Sequence, residues 1–168
     1  RMLSGPEAGN IHPYAIAQIR LLLLTGARKS EILTLRWSNV DFEKRMITLD
    51  DSKTGPKKIP LSQYAIDVFQ GLPRLGRTSF VFPAFSGGGY YQGLPKVWRQ
   101  IRSACGLDDV RLHDLRHTYA SVAASQGVGL YLIGTLLGHR QAQSTQRYAH
   151  IGDELLHDLT TNVGQQIM

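Results

Sequence analysis

The stretch from Arg111 to His150, RLHDLRHTYASVAASQGVGLYLIGTLLGHRQAQSTQRYAH, decides the fold of this chain. Four polar residues stand out in it. His113 and Arg116 are three positions apart, which puts both side chains on one face of a helix. His139 follows a Leu-Leu-Gly break, and Tyr148 comes nine positions later. A cation, two imidazoles and a phenol gathered on one face suit a phosphate that is held for nucleophilic attack.

The length and composition predict a single domain with its own core. The chain has 168 residues, 42% of them hydrophobic, which is ordinary for a globular protein. No apolar run approaches the roughly 20 residues of a membrane span, so we expect no membrane partner. The single cysteine, Cys105, excludes an internal disulfide. It agrees with a reducing compartment, so we expect a cytoplasmic protein.

The charge is unevenly distributed along the chain. Residues 1–150 contain 19 basic and 10 acidic side chains, a net charge of +9. Residues 151–168 contain three acidic side chains and no lysine or arginine, a net charge of −3. A basic body of this kind favours a polyanion partner, most often nucleic acid, although a merely soluble basic surface has the same composition.

Periodicity predicts a mainly helical α+β domain with a small three-stranded antiparallel sheet. The sheet is expected within residues 39–60, as short strands at 39–42, 46–49 and 57–60. The first helix shows one apolar face, and the acidic tail keeps a helical spacing of apolar residues. Helices are expected to begin near Pro13, Arg28, Ser62, Leu94, His113 and Leu130, and another is expected to carry Tyr148.

The earlier part of the chain contributes three further candidate site residues. Arg28 lies where two predicted helices meet, beside helix N-terminal amides that favour a phosphate. Glu31 lies one turn later and could orient Arg28 through a charged hydrogen bond, or simply form a structural salt bridge with it. Lys53 lies at the tip of the predicted hairpin between the second and third strands. Lys57 and Lys58 compete with it for a role at the site, and a lysine at such a tip is usually only solvated.

Five motifs in this order resemble the catalytic domain of the tyrosine recombinase (phage integrase) family. They are TGARKSEI at Arg28, SKTG at Lys53, HDLRH at His113, LGH at His139 and TQRYAH at Tyr148. Each motif alone is weak, but the five together are specific, and they span about residues 25–150. The resemblance implies a helical recombinase fold and a single catalytic domain over residues 1–168. The amino-terminal DNA-binding domain usual in the family is expected to be absent.

The resemblance implies that Tyr148 attacks a DNA phosphodiester, which forms a 3′-phosphotyrosyl link and frees a 5′-hydroxyl. A free tyrosine has a pKa of about 10, so the phenol needs help to ionise. Arg28 and Arg116 are then expected to bind the non-bridging oxygens, for which a guanidinium is well shaped. The remaining implied roles concern protons and support, without a metal or other cofactor. Lys53 protonates the leaving oxygen, His113 accepts or relays the phenolic proton, His139 hydrogen-bonds the phosphate, and Glu31 and His117 support the site.

Several alternatives stay open at this point. His113 and His117 have a zinc-like spacing, but no glutamate follows the first histidine, and Arg116 between them repels a cation. Two other hypotheses about function stay open. The chain could be a non-catalytic DNA-binding module on the same fold, or a type IB topoisomerase-like enzyme that relaxes DNA. For a recombinase we expect double-stranded DNA as the partner and self-association on it as a tetrameric synapse. The tail, residues 151–168, packs either on its own domain or on a neighbouring subunit.

Overall fold

The computed structural model describes residues 11–50, 55–74 and 78–138. The described part holds six α-helices and one small sheet, as the mainly helical prediction requires. The helix predicted around Tyr148 and the tail lie outside the described residues. The helices are α1 Pro13–Thr25, α2 Lys29–Leu33, α3 Gln63–Gln70, α4 Leu94–Ala104, α5 Asp114–Ser125 and α6 Leu130–Leu137, and the strands are β1 Val40–Asp41, β2 Met46–Leu49 and β3 Lys57–Pro60.

The three strands form the predicted antiparallel meander in the order β1, β2, β3. Ile47 in the central strand lies opposite both Val40 and Ile59, and these three side chains are buried. Successive residues of β3 alternate between the two faces of the sheet, as strand geometry requires. Lys57 and Ile59 therefore project into the protein, whereas Lys58 projects outward.

Helix α1 lies at the centre of the described fold. It packs against α2, α3, α4 and α5, and its buried side chains point in most directions around the helix axis. The prediction of a single apolar face was therefore too narrow, because a helix covered on several sides is apolar around most of its circumference. None of the helices within the described ranges, α1 included, is long and apolar enough to cross a membrane.

The described residues contain a main core and a smaller apolar cluster. The main core joins α1–α4, the sheet and the start of α5. The smaller cluster lies between α5 and α6, where Ala120 and Ala124 let Ile133 and Leu137 approach closely. Because α5 also packs against α1, this cluster attaches the end of α6 to the central helix. The attachment brings a late segment of the chain to the junction of α1 and α2.

Candidate active site

The junction of α1 and α2 is a sharp turn that presents Arg28. Gly26 is the C-cap residue of α1; it has φ 61° and donates its backbone N–H to Leu22 O at 3.1 Å. Glycine suits this left-handed position because it carries no Cβ. A Cβ there would also lie 2.6 Å from Cδ1 of Tyr119. Arg28 then takes an extended conformation and serves as the N-cap residue of α2.

Glu31 holds Arg28 at two points. Its Oε2 accepts the backbone N–H of Arg28 at 2.8 Å, and its Oε1 accepts Nη1 of the guanidinium at 2.9 Å. A third bond runs from Nη2 of Arg28 to the carbonyl oxygen of Gly138 at 3.2 Å. The guanidinium is thus held between the start of α2 and the residue that ends α6.

Arg116 is buried, with 5% of its surface exposed, and it links two helix ends. Its Nη1 donates to the carbonyl of Gly26 and its Nη2 to the carbonyl of Leu137, both at 2.6 Å. Carbonyls at the C-terminal end of a helix carry partial negative charge, so a cation is favoured there. Arg116 therefore lies beside the same turn that presents Arg28.

Lys57 also lies at this site, although the sequence favoured Lys53 over it. Its Nζ donates to Oε2 of Glu31 at 2.9 Å, and only 4% of its side chain is exposed. The aliphatic stem of Lys57 lies against Gly138, where a Cβ would come within 2.9 Å of its Cε. The strand alternation that buries Ile59 could have identified Lys57, because a lysine on a buried strand face needs a carboxylate partner.

The site contains four charged side chains, those of Arg28, Glu31, Lys57 and Arg116, with a net charge of +2. Burial alone would raise the pKa of Glu31, but the hydrogen bonds from Lys57 and Arg28 outweigh burial and hold that pKa below its ordinary value. Burial lowers the pKa of Lys57 against the opposing effect of Glu31, and the positive Arg116 and Arg28 lower it further. Lys57 and Glu31 form a buried ion pair, with Nζ and Oε2 2.9 Å apart. A positive cluster with a single carboxylate suits a phosphate.

The two predicted histidines lie at the start of α5. His113 is the N-cap residue of the helix and is exposed, whereas His117 is half-buried one turn later. Their rings meet edge to face, with centroids 4.9 Å apart. The structure thus brings His117 into contact with His113. It also brings together Arg28, Glu31 and Arg116 from two distant parts of the chain.

Three predicted site residues, Lys53, His139 and Tyr148, lie outside the described residues. Their roles remain predictions. His139 directly follows Gly138, whose carbonyl oxygen accepts a hydrogen bond from Nη2 of Arg28.

Comparison with known proteins agrees with the motifs. Residues 2–154 match the sequence profile described as the phage integrase family. The tyrosine recombinase XerD of Brucella suis is 30% identical over 156 residues, which cover 86% of this chain and 50% of that protein. The prophage integrase IntF of Escherichia coli K12 is 28% identical over 142 residues, which cover 82% of this chain and 30% of that protein. The chain thus spans half or less of these curated relatives.

A solved structure shares the fold. The Tn1549 transposon integrase, in complex with circular intermediate DNA, matches 88% of this chain and 58% of its own length with a TM-score of 0.73. The sequence identity over this match is 20%. The predicted fold class, a helical recombinase catalytic fold with a small three-stranded sheet, is confirmed.

Proposed function

Because this chain belongs to the phage integrase family, we propose that it breaks and rejoins DNA strands at specific sites through Tyr148. The phenolic oxygen of Tyr148 attacks the phosphorus of a phosphodiester. The bond from phosphorus to the 5′-oxygen breaks, and the phosphate stays linked to the tyrosine through its 3′ side. Attack by another 5′-hydroxyl reverses the step and joins a new strand, so no external energy source is needed.

One observation carries the proposal: Arg28 and Arg116 are held side by side at the end of α6. The pentavalent transition state concentrates negative charge on the non-bridging oxygens. Two guanidinium groups whose planes are already held by Glu31 and by helix-end carbonyls need little rearrangement to stabilise that charge. A structural salt bridge between Arg28 and Glu31 is compatible with this role, because it orients the arginine.

The proton transfers are assigned to His113 and Lys53. His113 accepts or relays the proton of Tyr148, and its exposed ring at the start of α5 is accessible to a ligand. Lys53 donates a proton to the leaving 5′-oxygen, and His139 hydrogen-bonds the phosphate. Glu31 and His117 support the site. This set of residues works without a metal ion.

The partner we propose is double-stranded DNA, bound by several copies of the protein in a tetrameric synapse. The net charge of +9 over residues 1–150 supports a polyanion partner. The match to an integrase solved with its DNA supports the same partner. The exposed free thiol of Cys105 supports a reducing, cytoplasmic setting.

The experiment that tests the function captures the covalent intermediate. The protein is incubated with a library of duplexes that carry a random central sequence and one nick, which lets the cleaved end diffuse away. We expect a denaturant-stable protein–DNA adduct that keeps a label placed on the 5′ side of the cut. Sequencing of the captured DNA then gives the preferred site.

Two controls separate the alternatives. Tyr148→Phe must abolish the adduct while leaving DNA binding intact, and an adduct that persists refutes Tyr148 as the nucleophile. If the protein is a non-catalytic DNA-binding module, the wild-type chain binds DNA but forms no adduct. A topoisomerase-like enzyme relaxes supercoiled plasmid without enriching any sequence in the captured library. Sequence enrichment combined with strand transfer supports the recombinase.

A further inference from the structure

A buried ammonium lies in the site without a part in the proposed chemistry. We propose that Lys57 is a positioning residue that holds Arg28 in place for the phosphate, by contacting Glu31 and Gly138, two residues that bind the Arg28 side chain. The proposal rests on the proposed function only for its kinetic consequences. The geometry itself concerns Lys57, Glu31, Gly138 and Arg28.

The first contact is with the carboxylate. The two carboxylate oxygens of Glu31 have different partners. Oε1 accepts a hydrogen bond from Nη1 of Arg28, and Oε2 accepts hydrogen bonds from the backbone N–H of Arg28 and from Nζ of Lys57. The Lys57 bond thus helps to set the plane of the carboxylate. If Lys57 loses its charge, Glu31 becomes a buried anion with one cation fewer, and it can rotate toward water or take up a proton. Either change moves or weakens the acceptor for Nη1 of Arg28.

The second contact is with the chain at the end of α6. Gly138 has φ 66°, and it lies so close to the stem of Lys57 that a Cβ added to it would be 2.9 Å from Cε. The carbonyl oxygen of the same glycine accepts Nη2 of Arg28. The stem of Lys57 therefore supports the backbone that binds the other side of the guanidinium. Lys57 thus contacts both Glu31 and Gly138, and each of these two residues accepts a hydrogen bond from Arg28.

A positioning role fits this environment better than direct proton donation. A general acid must reach the leaving oxygen within hydrogen-bond distance. The Nζ of Lys57 is instead bonded to Glu31, and its side chain is almost fully buried. Lys53 therefore remains the proposed proton donor, and proton donation by Lys57 becomes an outcome that the test can reveal.

The test compares adduct formation by Lys57→Met with that of Lys58→Met under single-turnover conditions. The DNA is the nicked duplex selected by the capture experiment. Methionine keeps the length of the stem and removes the charge. Lys58 lies on the same strand and points to the other face, so its variant controls for the loss of one positive charge. We expect Lys57→Met to slow cleavage by up to about 100-fold, the cost of a small misplacement in a reacting geometry, and Lys58→Met to leave the rate nearly unchanged.

A substrate with sulfur in place of the leaving 5′-oxygen separates positioning from acid catalysis. A thiolate leaves without a proton, so this substrate relieves the loss of a general acid. We expect it to relieve the defect of Lys53→Met and to leave the defect of Lys57→Met in place. Relief of Lys57→Met by the bridging sulfur overturns the proposal, because it makes Lys57 the acid.

Coupling to Arg28 is the second readout. If Lys57 acts through Arg28, adding Lys57→Met to Arg28→Gln slows cleavage much less than Lys57→Met slows the wild-type chain. Independent, multiplying effects overturn the proposal. Nuclear magnetic resonance of the Arg28 guanidinium protons adds a readout without DNA. These protons should exchange faster with water in Lys57→Met than in Lys58→Met, and equal exchange overturns the proposal.

A folding control and a function control complete the design. If Lys57→Met does not fold, the double variant Glu31→Gln/Lys57→Met, which removes both charges of the buried Lys57–Glu31 ion pair, replaces it under the same criteria. Wild-type cleavage rates in that double variant overturn the proposal. Failure of the proposed function is seen separately, as a wild-type chain that forms no adduct or a Tyr148→Phe chain that does.

Discussion

Arg28 and Arg116 donate to neighbouring backbone carbonyls, those of Gly138 and Leu137, at the C-terminal end of α6. A helix end that carries partial negative charge thus gathers two cations which would otherwise repel each other. Arg116 also binds the carbonyl of Gly26, which ends α1. The proposed phosphate site therefore exists only when α6 is docked against the α1–α2 turn.

Arg116→Lys is expected to damage both activity and stability. A lysine cannot donate to two carbonyls in the planar geometry of a guanidinium, so Gly26 or Leu137 loses its partner. We expect cleavage to slow by about a hundredfold or more. The free energy of unfolding should fall by about 1–3 kcal/mol, because one buried carbonyl is left unsatisfied. Adduct formation and urea unfolding measure the two effects, with the exposed Arg99→Lys as control. Wild-type cleavage by Arg116→Lys contradicts the assignment of this guanidinium to the phosphate.

Gly26→Ala is expected to destabilise the turn between α1 and α2. The new Cβ meets a left-handed backbone and lies 2.6 Å from Tyr119 and 2.9 Å from Leu137. Strain and overlap together should lower the free energy of unfolding by roughly 2–4 kcal/mol. Gly106→Ala is the matched control, because Gly106 has a similar φ of 65° and a Cβ added there meets nothing within 4 Å, so only the backbone strain remains. Equal losses in urea unfolding would show that the contact with Tyr119 does not matter.

His12 should make stability depend on pH. Its Nδ1 accepts the backbone N–H of Tyr14 at 3.1 Å as the N-cap of α1, and its ring packs against Phe85 and Tyr91. Burial lowers the pKa of His12 below its ordinary value. The unfolded chain then binds more protons between the folded pKa and about 6.5, so the free energy of unfolding falls as the pH drops below about 6.5.

His12→Asn isolates this effect, because asparagine also accepts a hydrogen bond at an N-cap position and does not titrate. Urea unfolding of both chains at about pH 7.5 and about pH 5.5 is the measurement, in the window set by the lowered pKa. The wild-type chain should lose more stability on acidification than the variant. An identical loss in the two chains would assign the pH dependence to other groups.

Gln18→Met is expected to stabilise the protein. Gln18 is fully buried in α1, and neither polar atom of its amide finds a hydrogen-bond partner in the part of the chain that the structure describes. Methionine has a similar shape and removes the desolvated amide, so the free energy of unfolding should rise by about 1–2 kcal/mol. The exposed Gln100→Met should change it by less than about 0.5 kcal/mol. A lower stability of Gln18→Met would mean that the amide is satisfied in solution.

Much of the fold could be predicted because its signals are local. Glycine and proline mark the ends of α1, α3 and α4, and alternation of apolar residues marks β2 and β3. Strand β1 was predicted over residues 39–42 but has two residues, because the ends of so short a segment depend on packing rather than on propensity. Packing likewise decided that α1 is covered on several sides.

The candidate site was predictable only in part. Motif order predicted Arg28, Glu31, His113 and Arg116 as site residues, because each lies in a short recognisable pattern. Lys57 lies in a run of two lysines, and the sequence favoured Lys53 at the hairpin tip. What distinguishes Lys57 is its register in β3, opposite Leu49 and on the face of Ile59.

The sequence by itself determined the kind of protein: a mainly helical domain with a basic body and five recombinase motifs in order. Residue type, spacing and charge are properties of the chain alone, so they can be read without coordinates. Only the tertiary structure decided how the cations are held, with Lys57 buried on Glu31 and two arginines bound by the end of α6. These contacts join residues more than 20 and up to 110 positions apart. They arise when α5, α6 and the sheet pack against the α1–α2 turn, and no local pattern encodes that packing.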